Sequence, residues 1–296
     1  GSLNTDGRPV LGIDVKELTK IILTVSPESV LIPAHAWTPH FSIFGSQSGF
    51  DSIEECFEEL SPYINAIETG LSSDPSMNWR LSRLDSIFLI SNSDAHSPTK
   101  IGREAAVFET ELSYKAITNA IKTGKGLLET IEFFPEEGKY HFDGHRNCKV
   151  RFSPKETIEH NYLCPVCRKK VTVGVMHRVE ILADRPEKAK PHKAIPYKSI
   201  VPLHEILAEI NKSSTQSKIV SELYMKAILN LGSEYNILLN KDLKEIWKYD
   251  EVLAEAIDRM RKGKIFVEPG YDGEYGKIKV FGEALAHPLK GQTSLF

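Results

Sequence analysis

Two short stretches carry residues suited to hydrolytic chemistry, Ile32-Pro33-Ala34-His35 and Ser91-Asn92-Ser93-Asp94-Ala95-His96. Each follows an apolar run (Val30 to Ile32, then Ile87 to Ile90) that stops abruptly at residues able to ligate, hydrogen-bond or turn. A strand of an α/β barrel delivers side chains to its open, carboxyl end in this way. Asp94 and His96 lie two apart, so in extended chain both project to one side. A carboxylate and an imidazole held like that suit a divalent metal of borderline hardness, and His35 from another strand would complete a facial set. Glu68, at the end of the Tyr63–Ile67 run, is placed to bind metal, act as a base or hydrogen-bond a neighbouring loop. The plainer alternative is that Asp94 caps a helix and His96 is a surface histidine, since short motifs recur by chance.

A second cluster lies further on. His145-Arg146-Asn147-Cys148 and Cys164-Pro165-Val166-Cys167 form an H-x-x-C and C-x-x-C pair with fifteen residues between them. Two knuckles at that spacing build a tetrahedral site of one histidine and three cysteines for a structural zinc ion. His141 is an alternative fourth ligand, and His160 and His177 are weaker ones. Three of the four cysteines fall here, which argues against disulfides and for a reducing compartment. The fourth, Cys56, sits among Glu54, Glu55, Glu58 and Glu59, surroundings that raise a thiol pKa. Between Lys139 and Arg178 there are nine Lys or Arg against three acids, a basic surface suited to a phosphate backbone. Arg146, Lys149, Arg151, Lys169 and Lys170 are the candidates for that contact.

The elements that must position these groups alternate. A helix is expected from Asp14 to Leu23 with Asp14 as N-cap, then a Val30–Ile32 strand, a helix from Ser52 to Leu60 and the Tyr63–Ile67 strand. A helix from Trp79 to Leu84 precedes the Ile87–Ile90 strand. Strands separated by helices imply parallel pairing and an α/β sheet or barrel. The loop after His35 is long and aromatic. Trp37 and Phe41 could stack on an extruded base or plug a barrel mouth as core. Arg80 is a candidate phosphate clamp or a member of an ion pair. From Arg185 to Pro202 the chain is rich in Pro and Lys and reads as a linker or an extended arm across a charged surface. Helical patterns follow at 203–210, 216–231, 243–248 and 251–261, with Ser214-Thr215 opening the second and Gly232 closing it. The Pro269–Gly276 turn before Lys277–Val280 suggests a hairpin or edge strand with two exposed tyrosines.

Pro33-Ala34-His35-Ala36-Trp37-Thr38-Pro39, Glu68-Thr69-Gly70-Leu71-Ser72-Ser73-Asp74-Pro75 and Ser91-Asn92-Ser93-Asp94-Ala95-His96-Ser97-Pro98 resemble the late motifs of a PHP (polymerase and histidinol phosphatase) domain. More narrowly, the chain is similar to the PHP enzymes of the endonuclease Q family, through the cysteine segment and on to Pro269-Gly270-Tyr271-Asp272-Gly273. The resemblance implies an α/β PHP-type barrel over 1–130, present only in its C-terminal part. A zinc ribbon (131–184), a linker with a helical domain (185–282) and a tail (283–296) would follow. It implies catalytic divalent metals (Zn, Mg or Mn) on His35, Asp94 and His96, with Glu68 assisting but not ligating. It also implies incision of double-stranded DNA 5′ of a deaminated base (uracil, hypoxanthine, xanthine) or abasic site. One departure is evident: PHP domains begin with a His-x-His motif, and none precedes His35.

A chain of 296 residues with 41% apolar content has room for two or three domains, and its formal charge of −3 announces no nucleic-acid binder by itself. No run of about eighteen apolar residues is present, so no membrane span is expected. Neither a Gly-rich phosphate cradle nor a nucleophile elbow occurs, which sets aside P-loop chemistry and acyl transfer. Gln292-Thr293-Ser294-Leu295-Phe296 resembles the peptide by which bacterial proteins dock on the DNA polymerase sliding clamp. Gln292 would be its polar anchor and Leu295 and Phe296 its apolar pair, which points to a bacterial, cytoplasmic, nucleoid-associated protein. A PHP phosphoesterase on a small phosphomonoester, or a non-catalytic DNA- or clamp-binding module, are the competing readings.

Overall fold

The structure, a computed structural model, describes residues 12–47 and 49–282. The described residues divide into two compact units, one within 12–130 and 173–197 and the other within 131–172 and 198–282.

The first unit opens with α1 (Val15–Val25), whose N-cap Asp14 accepts from the Lys16 backbone N–H at 2.8 Å. After a long loop come α2 (Ile53–Phe57), capped by Ser52, and a 3-10 stretch over Glu58–Tyr63. Strand β1 (Ala66–Glu68) follows, then α3 (Pro75–Asn78) and β2 (Phe88–Ile90). The two strands pair in parallel with Ala66 opposite Phe88 and Glu68 opposite Ile90, as the alternation of elements implies. Strand β3 (Ala105–Phe108), α4 (Tyr114–Thr123) and β4 (Leu127–Glu132) complete this part of the chain. Gly124 ends α4 with φ of 72°, a left-handed C-cap that glycine takes without strain.

Two expected elements differ. Val30–Ile32 is not a strand: one ladder-like bond, from the Glu68 N–H to the Pro33 carbonyl, ties this stretch to β1. Pro33 has no N–H to extend the ladder. Helical chain before β2 lies at Pro75–Asn78, where Asp74 caps the turn and Pro75 fits its first position, and Trp79–Leu84 keeps only a 3-10 turn at Ser82–Leu84.

The second unit begins with β5 (Asp143–His145) and β6 (Val150–Phe152), an antiparallel pair in which His145 faces Val150, followed by α5 (Pro154–Glu159). A reciprocal capping box between Ser153 and Glu156 starts α5. The chain then returns to the first unit in α6 (Val175–Leu182). Val175, Val179 and Leu182 of this helix enter a core with Trp37, Phe44, Ile53, Phe57, Ile67 and Leu81. Arg178 donates to the Phe44 and Phe50 carbonyls and to the Asp51 carboxylate. A boundary at 184 therefore cuts the wrong place, because α6 buries its apolar stripe in the first unit. The 185–202 stretch is no free linker. Arg185 pairs with Asp85 at 2.5 Å, and the Pro196 carbonyl accepts from the Thr130 N–H. Strand β7 (Tyr197–Ser199) closes it, in a three-stranded sheet of order β3-β4-β7.

The rest of the second unit is helical: α7 (Leu203–Ile210), α8 (Lys218–Leu231), α9 (Leu243–Tyr249) and α10 (Glu251–Arg261). Ser217, not Ser214, caps α8, since its hydroxyl is the one that reaches the Val220 N–H. Glu209 of α7 receives the N–H groups of Val280 and Phe281. Strands β8 (Phe266–Glu268) and β9 (Lys277–Lys279) form the antiparallel hairpin around the Pro269–Gly276 turn. Tyr275 is exposed, as expected, but Tyr271 lies against Gly144, where an added Cβ would stand 2.4 Å from its ring. Among the described residues no strands close into a barrel, and no helix is long and apolar enough to cross a membrane. Gln292, Leu295 and Phe296 lie outside the described residues.

Candidate functional site

At the carboxyl ends of β1 and β2, Glu68 organises the residues expected to do chemistry. Its carboxylate is nearly buried and accepts from the His35 backbone N–H at 2.7 Å and from Asn92 Nδ2 at 3.0 Å. One side chain thus joins the two loops that bear His35 and Asp94. Both carboxylate oxygens are thus engaged by the chain's own donors. His35 and Asp94 both sit at positive φ, 32° and 43°. Such residues cost about 1–3 kcal/mol each and concentrate at functional sites. Gly70 makes the first turn possible: a Cβ there would lie 2.9 Å from His35 Cα. Arg103 donates from Nε to the Ser93 carbonyl at 2.8 Å and so fixes the loop before Asp94.

Asp94 Oδ1 and His96 Nε2 approach to 3.6 Å, with both side chains about half exposed. Two donors bound at about 2.1 Å to one ion stand at most about 4.2 Å apart, so the pair fits a shared cation. It fits equally an exposed Asp–His contact of small energetic value. Among the described residues, His35 does not join these two in a set of three ligand atoms within 4.8 Å. A cleft in the first unit, lined by residues including Trp79, Phe88, Thr130 and Lys193, contains none of the four site residues.

The cysteine-rich segment does gather. His145, Cys148, Cys164 and Cys167 present ligand atoms all within 4.8 Å of one another. The His145 Nδ1 to Cys167 Sγ distance is 3.6 Å. A tetrahedral ion with Zn–S of about 2.3 Å and Zn–N of about 2.05 Å requires an edge of about 3.6 Å, so this donor set can hold a metal such as zinc. The knuckles sit on β5, on the 3-10 turn Arg146–Cys148 and on the turn where Arg168 N–H reaches the Cys164 carbonyl. Their own core is small: Phe152, Cys164 and Val171, with Val150 beside them.

His141 is excluded from the set and is buried instead, stacked on Phe142 with centroids 5.4 Å apart. Its Nδ1 has no hydrogen-bond partner, and burial holds its pKa down to about 4 against the opposing bond to the Pro135 carbonyl. The unfolded chain therefore takes up a proton below about pH 6.5 that the folded chain refuses until about pH 4. Stability falls across that window, by about 3 kcal/mol at its end. His141→Phe is expected to lessen that loss, read as urea midpoints of both proteins from pH 7 to pH 4; parallel curves would refute it. His160 stacks on Phe152, and His177 is buried in α6, so neither competes for the metal.

The candidate DNA contacts divide. Trp37 is fully buried and donates from Nε1 to Asn78 Oδ1, so it is core, whereas Phe41 is 85% exposed. Arg80 is buried and paired with Glu180 at 2.6 Å, which removes it as a phosphate clamp. Lys149, Lys169 and Lys170 are exposed. Arg146 is exposed beside Gly273, and Arg151 is engaged with Glu268 and the Pro269 carbonyl. Burial pushes the Cys56 thiol up to about 12, with Asp14 and Glu55 adding to it, so Cys56 is an inert core residue.

Residues 202–264 match the family model described as the MJ0043 C-terminal domain, which coincides with α7 to α10. An uncharacterised protein of Methanocaldococcus jannaschii, MJ0043, is 34% identical over 82% of this chain, which spans only 31% of that relative's length. The crystal structure of the lesion-specific endonuclease PfuEndoQ from Pyrococcus furiosus matches with a TM-score of 0.83 and 30% identity, covering 97% of this chain and 70% of that one. A structure of endonuclease Q with a 27-mer duplex bearing an abasic lesion at its active site matches with a TM-score of 0.82 and 30% identity, over 97% and 72% of the two chains. The fold and the donor sets define a mixed α/β protein with a candidate metal centre of one histidine and three cysteines. The chain belongs to the endonuclease Q family.

Proposed function

We propose that the protein is a metal-dependent DNA repair endonuclease that hydrolyses the phosphodiester 5′ of a deaminated base (uracil, hypoxanthine, xanthine) or an abasic site. The observation that carries the reading is the match to a lesion-specific endonuclease over 97% of the chain. His35, Asp94 and His96 would hold the catalytic divalent ions, on a PHP-type barrel of which β1 and β2 are part. When bound, such ions lower the pKa of water and neutralise the charge growing on the phosphate. Glu68 keeps the two ligand-bearing loops in register through His35 N–H and Asn92, and Arg103 holds the loop before Asp94. Phe41 is the exposed ring suited to stack where a base leaves the helix. Lys149, Lys169 and Lys170 grip phosphates without choosing sequence, while the histidine–cysteine site holds structural zinc.

The test is incision of duplexes carrying one uracil, hypoxanthine, xanthine or abasic site by the full-length protein, beside an undamaged duplex and a generic phosphomonoester. A 5′ nick at the lesion is expected. Hydrolysis of the monoester with every duplex intact would replace the proposal by a small-phosphate esterase. The 292–296 peptide would tether the enzyme to the sliding clamp and raise its local concentration at DNA. Its deletion is expected to abolish co-purification with the clamp, and retained co-purification would refute the tether.

A further inference from the structure

The Pro269–Gly276 turn contributes to the zinc-type centre from far away in sequence. Asp272 Oδ2 accepts from the Arg146 backbone N–H at 2.6 Å, and its Oδ1 accepts from the Thr172 hydroxyl at 2.6 Å. Arg146 directly follows the ligand His145. Thr172 pairs through both backbone groups with Gly144, the residue before that ligand, at 2.9 and 2.7 Å. The carboxylate therefore grips the chain on each side of His145. Tyr271 packs on Gly144, and a Cβ at Gly273 would stand 3.2 Å from the Arg146 guanidinium. The turn is itself held against the segment before the ribbon. Gly270, Gly273 and Gly276 donate to the carbonyls of Glu136, Lys139 and Glu137, and Phe142 donates to that of Gly270.

We propose that Asp272 is a positioning residue for the centre formed by His145, Cys148, Cys164 and Cys167, setting its affinity for zinc from 126 positions beyond Arg146. The plainer account is that Asp272 merely makes the turn. Asp272 and Gly273 both have positive φ, 45° and 88°, and the Glu274 N–H closes on the Tyr271 carbonyl, as in a type I′ turn. Asn-Gly satisfies such a turn at least as well as Asp-Gly. The turn alone thus does not call for a charged side chain, whereas two short bonds to one carboxylate do. Groups that orient a metal ligand typically change affinity about 10–100-fold when altered.

The experiment measures zinc affinity of the full chain by competition with a chromogenic chelator, and the rise in thermal midpoint on adding zinc. Asp272→Asn keeps the turn and is expected to weaken zinc binding by about 10–100-fold and to shrink the zinc-induced rise. Thr172→Val removes one of the two bonds and should give a smaller loss. Asp258→Asn, a helix-surface change, is the control for charge alone. Affinity within twofold of the parent, or a zinc-independent drop in midpoint with the zinc-induced rise intact, would overturn the assignment. Should Asp272→Asn fail to fold, Thr172→Val decides, and unchanged affinity in it overturns the assignment.

Discussion

Asp94→Ala is expected to lower lesion-directed incision by on the order of 10³-fold or more while leaving DNA affinity within about twofold. A thousandfold is about 4 kcal/mol of transition-state stabilisation, within what a lost catalytic cation removes. Affinity is expected to be spared because the proposed contact surface is made of exposed cations such as Lys149, Lys169 and Lys170, and a carboxylate at Asp94 only repels phosphate. The measurement is single-turnover nicking of an abasic duplex, paired with equilibrium binding at fixed salt. Incision at the parent rate would remove Asp94 from the chemistry and leave the 3.6 Å contact with His96 as a surface pair. A fall in affinity parallel to the fall in rate would signal a folding defect.

Glu68 provides a graded comparison. Glutamine retains one oxygen for the His35 N–H, and Asn92 can turn its own oxygen toward the new amide, so the bridge between loops survives. Asp94→Ala removes the whole carboxylate of the proposed ligand and has no such remedy. The expected order of damage, Asp94→Ala far above Glu68→Gln, follows from these bonds rather than from proximity to the strand ends.

What could be read from the chain depended on how local the physics was. The knuckle residues are set by spacing within four positions, and the helices at 203–210 and 251–261 by their own periodicity and caps, so these are legible. The parallel pairing of β1 with β2 follows from the alternation of elements. Arg80 misleads because the acid that pairs with it, Glu180, lies 100 residues later. Trp37 misleads because its partner Asn78 is remote in sequence and its loop resembles a mobile one. The short helix α6 was not anticipated, and its burial among Trp37, Phe44 and Phe57 rests on residues more than a hundred positions earlier. Asp272 was visible only as turn chemistry. Its reach to Arg146 needed the fold.

Cys164→Ser is expected to abolish stoichiometric zinc and to unfold the ribbon while the first unit persists. Cys164 is fully buried in a cluster whose other buried members, among the described residues, are Phe152 and Val171. Three such side chains are a small core for a segment of this length, and small modules of that kind draw their folding energy largely from a bound structural ion. Serine leaves an unpartnered hydroxyl where a thiolate ligand stood. Metal analysis should show zinc falling from about one per chain to near zero. Amide exchange should quicken at Cys164 and Arg168, whose N–H groups close the second knuckle, while the β1–β2 ladder keeps its protection. Cys56→Ser is the paired control: it disturbs the first unit's core and leaves the zinc content unchanged. Full zinc occupancy in the Cys164 variant would mean that the four side chains are not a metal centre, and the ribbon's stability would then need another source.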